Sequence, residues 1–219
     1  MILSLIAVLC LAVSPPALSP EAQAKMAPFL AAVEAAKAKQ AVAQTDVRAR
    51  LETLLEVDQE PLKALHKVGL SSLSAADRAA ADALIAAEMS RISAANVQAL
   101  VGMVPPEGWF SSKVYGDDAA TGAFLIVQHA DTGLQKCFLP AIEAFARRGE
   151  AKWSEYALMY DRIAVAEGRP QRYGTQMRCE GGRMVPATTE DPANLEARRA
   201  PMGFRWPTYA DYLANFGAC

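Results

Sequence analysis

The chain has 219 residues, of which 52% are hydrophobic and 21% are charged. This composition is typical of a folded globular protein and excludes a collagen-like chain or a disordered polar chain. The formal net charge is −2 at pH 7, so no strong positive field is available to attract nucleic acid. The length predicts one domain, because most domains contain roughly 100–200 residues.

The N-terminal segment has the pattern of a secretory signal. An apolar run over residues 1–13 is followed by Ala22-Gln23-Ala24, and such a run before an Ala-x-Ala triplet is typical of a cleaved signal peptide. We therefore expect residues 1–24 to direct export to the periplasm or the medium, with membrane contact only during export. The alternative is a retained helix in a cytoplasmic protein, since Ser19-Pro20-Glu21 is also typical of a helix N-terminus.

Three cysteines would remain after this cleavage, which allows at most one intramolecular disulfide. Cys179 and Cys219 are the candidate pair, although the sequence does not give the Cα separation that decides whether they bond. Cys137 lies in an apolar helical stretch, and we expect it to be a small buried residue. With no Cys-x-x-Cys motif and only two histidines, the sequence predicts no metal site.

The first half of the chain predicts a stack of antiparallel helices. Apolar residues recur at helical spacing from Met26 to about Leu55, which indicates one long amphipathic helix. A short helix is predicted over Pro61–Lys67, and a longer one begins at Ser74 and runs, continuously or with a restart, through Val101. Residues 25–103 are therefore assigned to an N-terminal helical region.

The second half predicts a helical core with a small hairpin, over residues 104–219, in the same domain as the first region. Helical patterns occupy residues 117–130, 134–147 and 152–167, each followed by a glycine. A β-hairpin with its turn at Glu180-Gly181-Gly182 comes next, and short helices follow Asp191 and Thr208. The predicted fold class is mainly α: a helical bundle with a long N-terminal helix and a C-terminal β-hairpin.

His129 is the first candidate for chemistry. It follows the strongly apolar segment Phe124–Val127, and Leu125 one turn earlier shares its helix face, so we expect the imidazole to point inward. Asp131 could either orient the ring or cap the next helix. The other histidine, His66, lies between two lysines near a predicted helix end and is expected to be a surface residue.

A polar turn, Gly168–Gln176, is the second candidate. Its arginines, glutamines, tyrosine and threonine supply hydrogen-bond donors at a junction between helix and strand, which suits a polar or anionic small ligand. The same residues could instead satisfy the carbonyl groups of a helix end. Asp161-Arg162 in the preceding helix could belong to this site or be solvated, and Arg147-Arg148 and Arg198-Arg199 are expected to face solvent.

The order and spacing of these motifs indicate a family. The chain carries Ile126-Val127-Gln128-His129-Ala130-Asp131, then Asp161-Arg162, the polar turn and Glu190-Asp191-Pro192. On these residues it resembles the bacterial family called domain of unknown function 6624, from about Leu51 to Leu213. The resemblance implies a helical domain and one site made of Gln128, His129, Asp161, Arg162, Arg169, Gln171, Tyr173 and Gln176.

Asp58-Gln59 matches an earlier landmark of the same family, as does Gly108-Trp109. Where the family usually carries an arginine soon after Asp-Gln, this chain has Glu60-Pro61-Leu62. Asp58 is therefore left out of the predicted site.

Two functions fit these residues. In the first, the polar turn folds over the helices that bear His129 and Asp161 and forms a pocket for a small polar or anionic ligand. In a hydrolase-type enzyme, His129 would be the general acid or base for an activated water, Asp161 or Asp131 would orient it, and Arg162 or Arg169 would hold an anionic group. The second is a non-catalytic interaction or structural module whose polar motifs only stabilise the fold. No cofactor is predicted, and the oligomeric state stays open.

Overall fold

The computed structural model describes residues 17–206 and 208–219, so most of the predicted signal segment lies outside the described residues. The described part is mainly α with one antiparallel hairpin, as predicted. The hairpin pairs β1 (Met177–Glu180) with β2 (Arg183–Pro186). The helices are α1 (Pro20–Gln40), α2 (Val47–Leu65), α3 (Ala75–Val101), α4 (Ser112–Tyr115), α5 (Asp117–His129), α6 (Thr132–Arg147), α7 (Trp153–Ala166), α8 (Leu195–Arg199) and α9 (Tyr209–Leu213).

The single long helix predicted over Met26–Leu55 is wrong, because the chain reverses between α1 and α2. The Asp46 side chain accepts a hydrogen bond of 2.7 Å from the Ala49 N–H and so begins a new helix. The apolar spacing runs across the break since both helices bury residues in the same core. Pro61, predicted to begin a helix, lies buried inside α2.

The start of α1 is held against α3. Ser19 caps α1, and its backbone N–H and its hydroxyl donate to the two carboxylate oxygens of Asp77 at 2.8 and 3.0 Å. Ala22 and Met26 are fully buried one and two turns further on. Export and cleavage of segment 1–24 stay predictions. None of the described helices is long and apolar enough to cross a membrane.

Two apolar cores share α2 and α3. The first core joins these helices to α1 through residues such as Phe29, Val57 and Ile92. The second core joins them to α5, α6 and α7, with Leu51 of α2 and Leu100 of α3 among its buried residues. The N-terminal helical region therefore supplies side chains to the core of the second region.

Gly122 brings α5 close to α2. A Cβ atom at Gly122 would lie 2.7 Å from the Leu51 carbonyl oxygen, so only glycine fits without a shift of the helices. Seven residues further along each helix, Asp58 of α2 and His129 of α5 are hydrogen-bonded. Equal intervals show that the two helices run parallel here, and seven residues make about two turns, so both contacts lie on one face.

The C-terminus is tied to the hairpin. Cys179 and Cys219 form a disulfide with a Cα separation of 5.9 Å. The Met184 N–H donates to the Gly217 carbonyl at 2.8 Å, so the chain end also pairs along β2. The prediction that Cys137 is buried is wrong, because α6 packs a different face against the core and leaves this thiol exposed.

Candidate functional site

Asp58 and His129 form a hydrogen-bonded pair, called the dyad below. The His129 Nδ1 lies 2.9 Å from Asp58 Oδ1, and the Gln59 Nε2 donates to Asp58 Oδ2 at 2.6 Å. The side chain of Asp58 is 5% exposed and that of His129 is 29% exposed. A buried acid thus holds an imidazole that remains accessible.

The dyad determines which ring nitrogen can react. A carboxylate only accepts hydrogen bonds, so the Nδ1 of His129 carries the hydrogen that Asp58 receives. In the neutral ring, the lone pair is then on Nε2, and no group among residues 17–206 and 208–219 hydrogen-bonds this atom. Nε2 is therefore free to accept a proton from a ligand or from water.

A cavity of about 760 Å³ opens beside the dyad. It exists because α2 continues for seven residues, about 10 Å, beyond Asp58, whereas α5 ends at the level of Asp58. The faces of α2 and α3 beyond that level are not covered by α5. The lining combines polar residues (Asp58, Ser90, Ser93, Gln98, His129, Asp131) with apolar ones (Leu62, Met89, Ile92, Ala94, Val97, Ala130).

Asp131 lies in the cavity wall but is not hydrogen-bonded to the imidazole. Its Oδ1 accepts the Leu134 N–H at 3.0 Å, so it caps α6, which is one of the two roles predicted for it. Gln128 is buried and is not among the lining residues. Its backbone carbonyl receives the Gln135 Nε2 at 2.9 Å, a bond that closes the end of α5.

Asp161 occupies a different place and binds the polar turn from inside. Its carboxylate accepts the N–H groups of Arg172, Tyr173 and Thr175 and the Thr175 hydroxyl, at 2.7 to 3.1 Å. It has no exposed surface. Burial raises the pKa of the Asp161 carboxyl, while the donors from the turn oppose the rise. Asp161 therefore organises the turn and does not reach the imidazole.

Gln171 holds the two ends of the polar turn together. Its Nε2 donates to the carbonyls of Gln176 and Ala187 at 3.0 and 2.9 Å, and its Oε1 accepts the Gln176 N–H at 2.7 Å. Gly174 has φ +70°, and a Cβ there would lie 2.8 Å from the ring of Tyr209. The Gln171 side chain is thus fully paired within the protein.

The remaining predicted residues surround this turn and not the cavity. Tyr173 is buried, and its ring packs edge to face against Tyr160. Arg169 is exposed and pairs with Glu167, with 2.7 Å between Nη2 and Oε2. The Nε of Arg162 is buried without a partner in the described parts of the chain, and burial lowers the pKa of this guanidinium. Neither arginine lines the cavity.

The prediction that Arg198-Arg199 faces solvent is wrong. Arg199 is 4% exposed, and its guanidinium lies over the rings of Phe204 and Tyr209 at 4.4 and 5.0 Å from their centroids. Arg198 donates to the Arg172 carbonyl at 2.9 Å. Both side chains point inward because their guanidinium groups bind the carbonyl groups and aromatic rings that surround them.

The predicted site residues therefore separate into two groups. His129 and Asp131 lie at the cavity, whereas Asp161, Gln171, Tyr173 and Gln176 belong to the polar turn. Sequence reasoning missed Asp58 as the partner of His129, although the Asp58-Gln59 landmark was the signal that could have found it. The described residues contain no group of three or more His, Cys, Asp or Glu side chains that could hold a metal ion.

Comparison with known proteins places both groups in one family. The model of the family of unknown function DUF6624 matches residues 45–216, which include the dyad, the cavity lining and the polar turn. Neither the curated proteins nor the solved structures include a match to this chain. Since the family match spans most of the sequence, the chain belongs to the family of unknown function DUF6624.

Proposed function

We propose that the protein is an enzyme that binds a small molecule in the cavity beside the dyad and hydrolyses one of its bonds, with His129 as the general base. One observation carries this proposal: a buried carboxylate holds Nδ1 of an accessible imidazole in the wall of a cavity. A volume of about 760 Å³ lies within the range of small-molecule sites.

The proposed reaction uses water as the nucleophile. Nε2 of His129 takes a proton from a water molecule while the water oxygen bonds to the electrophilic centre of the ligand. The imidazolium then returns that proton to the leaving group as the old bond breaks. Asp58 stabilises the imidazolium through the Nδ1 hydrogen bond. Ser90 and Ser93 line the cavity, but neither is hydrogen-bonded to the imidazole, which favours water over a serine nucleophile.

The proposal includes an exported location. The signal-like pattern of residues 1–24 supports it, and so does the Cys179–Cys219 disulfide, because such bonds persist mainly in oxidising compartments.

The test is a hydrolysis screen with matched histidine variants. The full chain is assayed with chromogenic esters, amides, phosphates and glycosides, and at least one of these classes is expected to be hydrolysed. His129→Gln is expected to lower kcat/KM about 100-fold or more, and Asp58→Asn to lower it by a similar factor.

His66→Gln is the control for this screen, because His66 is exposed at the end of α2 and does not line the cavity. We expect it to retain full activity. Hydrolysis that survives His129→Gln, or that is lost equally in His66→Gln, would contradict the proposal.

The non-catalytic alternative is favoured for the polar turn alone. Its hydrogen bonds run inward to Asp161 and Gln171, both without exposed surface. We propose that this turn serves to fasten the hairpin to α7, and that it does not bind the ligand.

A further inference from the structure

We infer that the ligand of this cavity is an organic cation, with an ammonium group on an apolar body. This inference rests on the proposed function, since it names the class of molecule that the same cavity takes. It differs from the anionic ligand expected from the polar turn, whose arginines lie away from the cavity.

With His129 in the neutral form that the proposed general base requires, the charges of the lining have one sign. Asp58 and Asp131 are both lining residues, and no lysine or arginine lines the cavity within the described part of the chain. In a cleft with walls of low dielectric constant, unbalanced carboxylates attract cations and repel anions. The lining therefore selects against a carboxylate, phosphate or sulfate group.

Basic residues next to the lining are already paired with other acids. Arg91 follows Ser90 in α3, and its Nη1 lies 2.6 Å from Glu88 Oε1. Lys63 follows Leu62 in α2, and its Nζ lies 3.0 Å from Glu60 Oε1. The charges of Arg91 and Lys63 are balanced by these two glutamates. They therefore do not supply the positive charge that an anionic ligand would need.

Asp131 is the residue suited to contact the ammonium group. Only its Oδ1 is engaged, by the Leu134 N–H, while Oδ2 has no hydrogen-bond partner in residues 17–206 and 208–219. Both carboxylate oxygens of Asp58 are hydrogen-bonded, one to His129 and one to Gln59. Asp58 therefore attracts the ligand only through its electrostatic field. The N-terminus of α6 offsets part of the Asp131 charge, which makes the expected preference moderate.

The apolar part of the ligand has its own surface. Met89, Ile92 and Val97 of α3 and Leu62 of α2 line the cavity, so these side chains offer a ligand hydrocarbon and thioether surface. Burial of an alkyl chain there supplies affinity irrespective of charge, whereas the carboxylates supply the choice of headgroup.

Three probes with the same six-carbon chain separate these effects: hexylammonium, hexan-1-ol and hexanoate. Each is titrated into the full chain and followed by NMR shifts of the Ile92 and Val97 methyl groups. We expect hexylammonium to bind about tenfold more tightly than hexanoate, with hexanol between them, because like charge is repelled and opposite charge attracted. Higher ionic strength should reduce this difference, since salt screens partly exposed charges.

Asp131→Asn tests the origin of the preference. Asparagine caps helices as well as aspartate does, so the variant removes the charge and retains the start of α6. Hexylammonium binding should weaken about threefold to fivefold, the scale of an exposed ion pair, while hexanol binding stays the same. Asp82→Asn is the matched control, because Asp82 is exposed on α3 outside the cavity, and it should change neither affinity.

The outcomes distinguish this inference from the function on which it rests. If hexanol binds at the cavity but hexanoate binds as tightly as hexylammonium, the cation preference is overturned and the ligand site stands. If Asp131→Asn leaves the preference intact, the assignment of the ammonium contact to Asp131 is overturned. If none of the three probes shifts the Ile92 and Val97 methyl groups, both the inference and the proposed ligand site are overturned.

Discussion

Asp58 and Asp161 are both buried carboxylates within the family match, but their partners differ in kind. Asp161 accepts backbone N–H groups and a hydroxyl from the polar turn, and nothing at that carboxylate is exposed. Asp58 holds an imidazole whose second nitrogen is left open in the wall of a cavity. A cluster of polar motif residues therefore does not by itself indicate binding. The distinction lies in whether a reactive atom remains accessible once the internal hydrogen bonds are made.

The largest effect on stability is expected from Asp161→Ala. Two buried N–H groups, those of Tyr173 and Thr175, and the partly buried N–H of Arg172 would lose their acceptor. Breaking such a network costs about 3–5 kcal/mol in the free energy of unfolding. His129→Gln, at an accessible side chain, should cost less than about 1 kcal/mol. Urea unfolding of both variants measures the contrast. If both variants lost the same free energy of unfolding, the proposed difference between a structural polar turn and an accessible dyad would be contradicted.

The next effect is expected from removing the disulfide in the double variant Cys179→Ser with Cys219→Ser. The bond joins residues 40 positions apart, so its loss should destabilise the folded state by about 2–4 kcal/mol. The hairpin and turn should loosen first, since the bond lies at that end. Below the unfolding temperature, hydrolytic activity and hexanol binding should match those of the unmodified chain. Loss of both in a chain that is still folded would show that the dyad depends on the hairpin.

The smallest effect is expected from Gly122→Ala. Overpacking against the Leu51 carbonyl costs about 1–3 kcal/mol, and the better helix propensity of alanine returns up to about 1 kcal/mol. The displacement should also separate His129 from Asp58 and lower activity. Gly102→Ala is the control, because a Cβ there meets its nearest atoms at 3.6 Å. A Gly122→Ala chain with full activity would show that the close approach of α2 and α5 does not position the dyad.

Local signals were sufficient for the later helices. The predicted spans 117–130, 134–147 and 152–167 agree closely with α5, α6 and α7, because capping residues and glycines mark helix ends directly in the sequence. The break between α1 and α2 has no proline or glycine, and the apolar spacing continues across it. Asp46 is a local signal for a helix start, but the packing of both helices on one core is what reveals that the chain turns back.

The site was harder to predict than the helices, because its two partners lie 71 positions apart. The polar sequence after a buried helix was enough to single out His129. The choice of Asp58 over Asp131 or Asp161 depends on the crossing of α2 and α5, which no local pattern encodes. The inward direction of the turn's donors likewise depends on backbone conformation at Tyr173 and Gly174, and residue type does not reveal it.

The equal intervals from Leu51 to Asp58 and from Gly122 to His129 restrict how this site can change in evolution. One residue inserted between Gly122 and His129 would rotate the imidazole about 100° around the axis of α5 and carry it off the face that meets α2. Substitutions in that stretch can be accommodated by repacking, but a change in its length cannot. Relatives that share the proposed reaction should therefore preserve the number of residues there even where they have exchanged most of the side chains.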